Sequence, residues 1–286
     1  MEASELIINN DGSIFHLKLF PFEVAENIIL VGDPGRVALI GEYFDRIEVK
    51  KQNREFSTIT GIYKNKRITV TSSGIGTDNI DIVLNELDAL KNIDLEKRRV
   101  KDLVRPIHFI RIGTSGSLQE DIPSGAMVVT RKAIGLDNLP HFYKLDRNEE
   151  NRKIEHNLKQ HFNWNQNLSY PYVTDASEKL LKKFQDKVFF QGMTISAPGF
   201  YGPQGRKLRL PLFDDTLNNK IRNFRFKNLC ITNYEMESSA IYALSGALGH
   251  EAITICAIIA NRSRKDHIGD YTAIMQDLTE TVLENI

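Results

Sequence analysis

Short apolar runs that end in glycine turns, with helix-type periodicity between them, set the tightest limit on how this chain can fold. "NIILVGDPGR" reads as a strand breaking at Gly32, "RITVTSSGIG" as one breaking at Gly74, and "IHFIRIGTSG" as one breaking at Gly113. "GAMVVT", "MTISA" and "AITICAIIANR" are further runs of the same kind. Strands apolar at every position are covered on both faces, as in sheets that lie between helices. Between the runs, Asn79 to Asn92 sets Ile80, Val83, Leu84, Leu87 and Leu90 on a 3.6-residue stripe. Met236 to Leu248 carries Ala240, Ala243, Leu244, Ala247 and Leu248 and stops at Gly249, a usual helix C-terminal signal. Its small residues predict close packing on a sheet. The repeating β-turn-helix pattern gives the class α/β.

The chain has 286 residues, 41% of them apolar, and neither an internal repeat nor a low-complexity tract, so a single domain over 1–286 is expected. Asp137 to Asn167 is polar, and Leu208 to Lys227 is basic and irregular; both read as loop-rich excursions within that domain. Lys plus Arg and Asp plus Glu balance at 37 each, which argues against a general nucleic-acid or membrane-surface binder. A local arginine cluster is still open. Cys230 and Cys256 lie in apolar runs and read as buried, reduced thiols, which fits a cytoplasmic location. "MEASELIINNDGS" has no basic-then-apolar signal pattern. The longest apolar run, Ala252 to Ala260, falls short of the roughly 20 residues a bilayer span needs.

In open α/β sheets, ligands collect where strands end and backbone amides point outward. Arg36 follows Gly32 in "GDPGR", Arg111 precedes Gly113 and Thr114 in "RIGTSG", and Arg54 sits in "QNREF" after another strand. Glycines that admit the backbone, a hydroxyl donor and guanidinium forks suit a small doubly charged anion, with phosphate the natural candidate. Each arginine alone also fits a solvated surface residue. The fingerprint G-x-G-x-x-G and the loop G-x-x-x-x-G-K-[ST] are both absent, so neither a nicotinamide enzyme nor a P-loop NTPase is supported.

"GFYGPQGRK" follows the "MTISA" run. Gln204 and Arg206, two apart in an extended stretch, would face one side and read the edge of a planar heterocycle, with Phe200 stacked on its face. A solvent-exposed turn is the alternative. "ITNYEMESSA" sets Glu235 and Glu237 about Met236, between a strand and a helix. Carboxylates accept paired hydrogen bonds from vicinal hydroxyls, and Met236 could lie on a sugar face. Stabilisation of the helix N-terminus explains such an acid equally well.

An anion cradle, a sugar carboxylate and a heterocycle reader form a recognisable set. The chain resembles the nucleoside phosphorylase-I family, and within it the uridine phosphorylases. "FHLKL", "GDPGR", "NREF", "SSGIG", "RIGTSG", "FYGPQGR", "NYEMES" and "IIANR" carry the likeness in family order from residue 15 to residue 262. The resemblance implies a three-layer α/β/α fold with a central mixed, partly barrel-like twisted sheet. It implies that Gly32, Arg36, Arg111 and Thr114 hold phosphate, and that Arg54 reaches phosphate from a neighbouring subunit. His16 would contact the ribose 5′-hydroxyl, also across an interface. Glu235, Met236 and Glu237 would bind ribose, with Glu237 on the 2′- and 3′-hydroxyls. Gln204 and Arg206 would read uracil between apolar walls formed by Phe200, Ile259 and Ala260. Arg206, Gln204, Arg111 and Glu237 would carry the catalysis.

The implied reaction is reversible phosphorolysis: uridine plus phosphate gives uracil plus ribose 1-phosphate. Phosphate is the co-substrate and no organic cofactor is needed. A homodimer with shared active sites is implied, or a hexamer built from it. Some members hold K+ through a Glu, a carbonyl and a Ser; Glu55 and Ile75 match the first two, while Asn79 stands at the Ser position. The bacterial Tyr-Pro-Gly-Gln-Glu-Arg reads Tyr-Gly-Pro-Gln-Gly-Arg here, with the Gln-x-Arg spacing kept. Competing readings are a purine nucleoside phosphorylase, a nucleoside hydrolase and a non-catalytic nucleoside-binding protein. Hexameric purine enzymes place an Asp to protonate the base where this chain has Asn261, and phosphate-side arginines have no use in the last two.

Overall fold

The apolar runs become the strands of one mixed sheet in the computed structural model, which describes residues 1–185 and 188–286. The first half runs β1 (Asn27–Val31), α1 (Pro34–Gly41), β2 (Arg46–Asn53), β3 (Phe56–Tyr63), β4 (Lys66–Ser72), α2 (Thr77–Asn92), β5 (Ile93–Asp94), β6 (Arg99–Val100) and β7 (His108–Ser117). β8 (Met127–Gly135), α3 (Glu149–Phe162), β9 (Tyr172–Asp175), α4 (Glu178–Leu181) and β10 (Phe189–Ser196) follow. The chain ends with α5 (Leu217–Asn223), β11 (Arg225–Phe226), β12 (Leu229–Glu235), α6 (Ser238–Leu248), β13 (Glu251–Asn261), β14 (Asp266–His267) and α7 (Thr272–Asn285).

Strands β12, β10, β8, β13 and β7 are neighbours in that order, and β7 pairs back with β12 through Ser117 opposite Asn233 and Gly116 opposite Tyr234. This closes a five-stranded barrel. The sheet continues beyond it through β1, β4, β3 and β2. Strand β1 lies parallel to both β4 and β7, with Asn27 opposite Ile68 on one side and His108 on the other. Helices α1, α2, α4, α6 and α7 cover the strands, giving the expected three-layer α/β/α arrangement with a partly barrel-like sheet. Helix α2 buries the stripe Ile80, Val83, Leu84, Leu87 and Leu90, and α6 ends at Gly249, whose φ of +77° few other residues accept.

Four expectations from the sequence need correction. Strand β7 does not break at Gly113; it runs unbroken to Ser117. A Cβ there would stand 2.0 Å from Arg111 Nη1 and 3.0 Å from Cys256 Sγ, so this glycine makes room for a side chain on its own strand. The polar stretch Asp137 to Asn167 is not loop throughout. It contains α3, which buries Ile154, Leu158 and Phe162 at four-residue spacing and is capped by Asn148 Oδ1 on the Asn151 amide at 2.8 Å. That apolar line is one residue wide among charges, too narrow to stand out. Leu208 to Lys227 likewise contains α5 and β11. Cys256 is buried as expected, whereas Cys230 is only half-buried.

The barrel packs tightly across β10 and β12. A Cβ on Gly192 would lie 2.4 Å from Thr232 Cγ2 and 2.9 Å from the Cys230 carbonyl oxygen. Backbone cannot retreat inside a closed ring, so overpacking is costly. Gly192→Ala is expected to lower unfolding stability by about 1–3 kcal/mol. Urea denaturation with an unchanged m-value checks this.

Candidate active site

The ends of β1, β4, β7, β12 and β13 open onto one cavity of about 720 Å³. It lies where the barrel meets the open part of the sheet. Gly32, Arg36, Arg111, Thr114, Phe200, Gln204, Arg206, Glu235, Met236, Glu237, Ile259 and Ala260 all line it, so segments far apart in sequence meet at one cavity. The register of β13 slips between Ile258 and Ala260, and this bulge presents Ile259 and Ala260 at the cavity wall.

Arg111 is the hub. Its side chain is buried, with Nη2 paired to Glu237 Oε2, and Nη1 3.4 Å from Glu235 Oε2 and 3.6 Å from Cys256 Sγ. Burial opposes its charge, but Glu237 and Glu235 outweigh that and raise its pKa. Burial pushes the Glu237 carboxyl upward while Arg111 pulls it down, and burial pushes the Cys256 thiol up to about 12. Arg111 Nε is buried without a hydrogen-bond partner. Arg36, on the first turn of α1, donates to the Ile112 carbonyl at 3.3 Å. Burial and then Arg111 lower its pKa, so two guanidiniums repel one another at one end of the cavity. An anion there would compensate Arg36, since Arg111 already pairs with Glu237 and Glu235.

The two acids of "NYEMES" are differently placed. The Glu235 carboxylate is fully engaged: it accepts from the amides of Glu237 (2.8 Å) and Ser238 (2.9 Å) and from the Ser196 hydroxyl. It caps the chain as α6 begins. Glu237, the N-cap residue, accepts the Gly76 amide at 2.8 Å and pairs with Arg111, which leaves carboxylate lone pairs open to the cavity.

At the other end, Gln204 and Arg206 do not lie in an extended stretch. Gln204 ends a 3-10 turn and Gly205 follows at φ +66°. The two still meet, because the turn folds Arg206 Nη1 back to 2.5 Å from Gln204 Oε1. The Arg206 guanidinium lies 3.7 Å from the Phe200 ring centroid, so one face of that ring is taken by the arginine. Sequence reasoning missed Arg262. Its Nη2 donates to Gln204 Oε1 at 3.0 Å, its Nη1 to the Gln204 carbonyl, and its Cζ lies 4.8 Å from the Tyr234 ring centroid. Burial, then Arg206, lowers its pKa to about 10. Its place directly after "IIAN" was the available signal.

His16 and Arg54 do not line this cavity. They gather elsewhere around Phe15. His16 Nδ1 is 2.6 Å from Glu86 Oε1, the His16 carbonyl accepts from Asn53 Nδ2 at 2.7 Å, and Arg54 Cζ lies 5.6 Å from the Phe15 centroid. Arg54 holds the β2–β3 turn at φ +53°. Glu55, Ile75 and Asn79 do line the cavity, at its rim beside Gly74.

Replacing Arg111 tests the hub. In Arg111→Met, Glu237 loses its buried cation, so its already raised folded-state pKa rises further. A carboxyl with a raised folded pKa loses stability as pH climbs above the unfolded value of about 4.3. The variant is expected to lose about 3–5 kcal/mol at neutral pH and clearly less near pH 4.5. Thermal unfolding of both proteins across that range checks the sign.

The family model of the Phosphorylase superfamily matches residues 26–285. A uridine phosphorylase of Thermococcus kodakarensis is 29% identical over 256 residues, covering 88% of this chain and 79% of that protein. A DeoD-type purine nucleoside phosphorylase of Alkaliphilus metalliredigens is 29% identical over 240 residues, covering 82% of each. The crystal structure of a Trypanosoma brucei nucleoside phosphorylase, described as showing uridine phosphorylase activity, superposes with a TM-score of 0.90 at 32% identity over 98% of both chains. No helix among the described residues is long and apolar enough to cross a membrane. The chain belongs to the phosphorylase superfamily.

Proposed function

We propose that the protein is a pyrimidine nucleoside phosphorylase, a pentosyltransferase that converts uridine and phosphate to uracil and ribose 1-phosphate, reversibly. One observation carries this reading. Two guanidiniums, Arg36 and Arg111, share a single cavity with the Glu237 carboxylate and the Gln204–Arg206–Arg262 cluster. The first pair suits phosphate, the acid suits ribose hydroxyls, and the cluster suits a base edge rich in carbonyl oxygens.

Gly32 and Thr114 complete the phosphate end beside Arg36 and Arg111. Held below C1′, phosphate needs no activation by a separate base, and positioning removes much of the entropic barrier. As the C1′–N1 bond breaks, a phosphate oxygen bonds to C1′ and the electron pair leaves with the base. The sugar passes through an oxocarbenium-like state opposite the dianion. Negative charge gathers on the uracil oxygens, where Arg206 and Arg262 meet it. In the resting site both arginines donate to Gln204 Oε1, so binding exchanges that contact for the base.

Asn261 supports a pyrimidine substrate over a purine. Its Nδ2 donates to the Gln119 and Ile122 carbonyls at 2.8 and 2.7 Å, and its Oδ1 accepts the Arg264 amide at 2.8 Å. It is buried, holds the loop, and has no proton to offer a purine N7.

The separate grouping of His16 and Arg54 fits a homodimer in which each chain completes its neighbour's cavity. For K+, this chain supplies one carboxylate and two neutral groups at the rim, too few ligands to hold the ion alone. A second copy would have to contribute, and no step of the reaction depends on it.

Uridine absorbance should fall only when phosphate is present, with thymidine, inosine and adenosine as parallel substrates. Cleavage without phosphate, or none of uridine, would refute the reading. Arg206→Ala is expected to lower kcat/KM roughly 10²-fold or more with KM for phosphate kept. Loss of phosphate affinity at normal turnover would reverse its assigned role. For the dimer, His16→Ala and Arg111→Met proteins, each nearly inactive, should regain about a quarter of wild-type activity once subunits are mixed and exchanged, because one of the two sites in a mixed dimer is intact in half the dimers formed. No recovery on mixing, despite exchange seen by mass spectrometry, rules out shared sites.

A further inference from the structure

The segment after β8 takes no part in the cavity, yet it opens with a buried carboxylate, Asp137. Asp137 Oδ2 accepts the phenol proton of Tyr172 at 2.6 Å. Ser239 Oγ lies 2.8 Å from the phenol oxygen and 3.2 Å from Oδ2. All three residues are buried. Tyr172 reaches the group because its ring lies across Gly135, its partner in the β8–β9 register; a Cβ on Gly135 would stand 2.1 Å from Tyr172 Cζ. A phenylalanine would fill the same space without a polar group to satisfy. Burial, then Asp137, raises the Tyr172 pKa well above the ordinary phenol value, so the phenol stays a donor.

The chain of contacts runs on to the candidate active site. Ser239 sits in the first turn of α6, and its amide donates to Ser196 Oγ at 2.9 Å. The Ser196 hydroxyl donates to Glu235, whose carboxylate holds the amides of Glu237 and Ser238. The first turn of α6 is thus held through the Ser239 hydroxyl on one side and through Glu235 on the other. Behind Tyr172, α3 braces β9: Glu155 Oε1 accepts the Val173 amide at 2.9 Å, and Lys132 bridges Asn151 at 2.8 Å and Asp175 at 2.5 Å.

We propose that Tyr172 and Asp137 are positioning residues, which fix the first turn of α6 through Ser239 and so hold Glu237 at the geometry the ribose hydroxyls require. The proposal rests on the phosphorylase reading. It also gives the polar segment a role, since that segment carries and braces the anchor for the sugar end of the site.

Tyr172→Phe keeps the ring over Gly135 and removes only the hydroxyl. Losing one buried hydrogen bond of this kind should raise KM for uridine about fivefold, with KM for phosphate unchanged. Preference for uridine over 2′-deoxyuridine should fall, because Glu237 would no longer discriminate by two fixed hydrogen bonds. Hydrogen exchange at the amides of Glu237, Ser238 and Ser239 should quicken about fivefold or more, with exchange in β1 and β7 unchanged. Asp137→Asn should move the same readouts in the same direction. A fall in melting temperature alone, with the KM ratio and those amides unaltered in both variants, overturns the proposal. Exchange is read without turnover. A wild-type protein that leaves uridine intact therefore refutes the substrate reading, while the amides still decide whether the anchor exists.

Discussion

The buried ion cluster of Arg111 with Glu237 and Glu235 is the constraint around which the site is built. Three charges in a water-poor interior hold only when each is paired and its remaining hydrogen-bonding capacity is largely met. That requirement reaches outward. Gly113 lacks a side chain so that the guanidinium can fold beside its own strand, and Cys256 stands close as a neutral thiol. Two amides and the Ser196 hydroxyl absorb the Glu235 charge, while Gly76 and Arg111 share that of Glu237. Of the group, one Arg111 donor and part of the Glu237 carboxylate remain uncommitted, and both belong to residues that line the cavity.

Closure of the barrel puts these pieces in one place. Because β7 pairs with β13 on one side, β12 on another and β1 along its first half, residues from four remote stretches end within one cavity. The bulge at Ile259 re-aims the end of β13 without breaking the ladder. Short strands and turns could not hold several charged side chains at fixed separations on an open sheet alone. A ring of hydrogen-bonded strands can, because no member can shift without its neighbours.

The class, the strand positions and the α2 stripe were legible because apolar periodicity reports burial directly. So were the residues that share the cavity, since chemistry-bearing side chains at strand ends are few. What was not legible depended on contacts distant in sequence. Gly113 looked like a turn because its reason, the Arg111 side chain, is visible only in three dimensions. The expectation that Gln204 and Arg206 sit on an extended stretch failed because a Gly-Pro turn tightened into a 3-10 turn; their meeting survived by a different geometry. Arg262 escaped notice because a lone arginine after a strand gives no sign that it will cross to Gln204. Glu235 and Glu237 looked alike in sequence, and only their hydrogen-bond partners separate the helix cap from the open acid.

The β2–β3 turn places a charged side chain where the backbone favours glycine. Arg54 occupies left-handed backbone, a conformation that costs an L-residue with a side chain on the order of 1 kcal/mol relative to glycine. Glycine or asparagine would suit the hairpin better. A chain that keeps a long cation at such a corner forgoes rigidity it could easily have had. Lys18, Lys64, Arg98, Lys227 and Lys265 meet the same cost at their own positive φ, so the fold sets cations at several such corners.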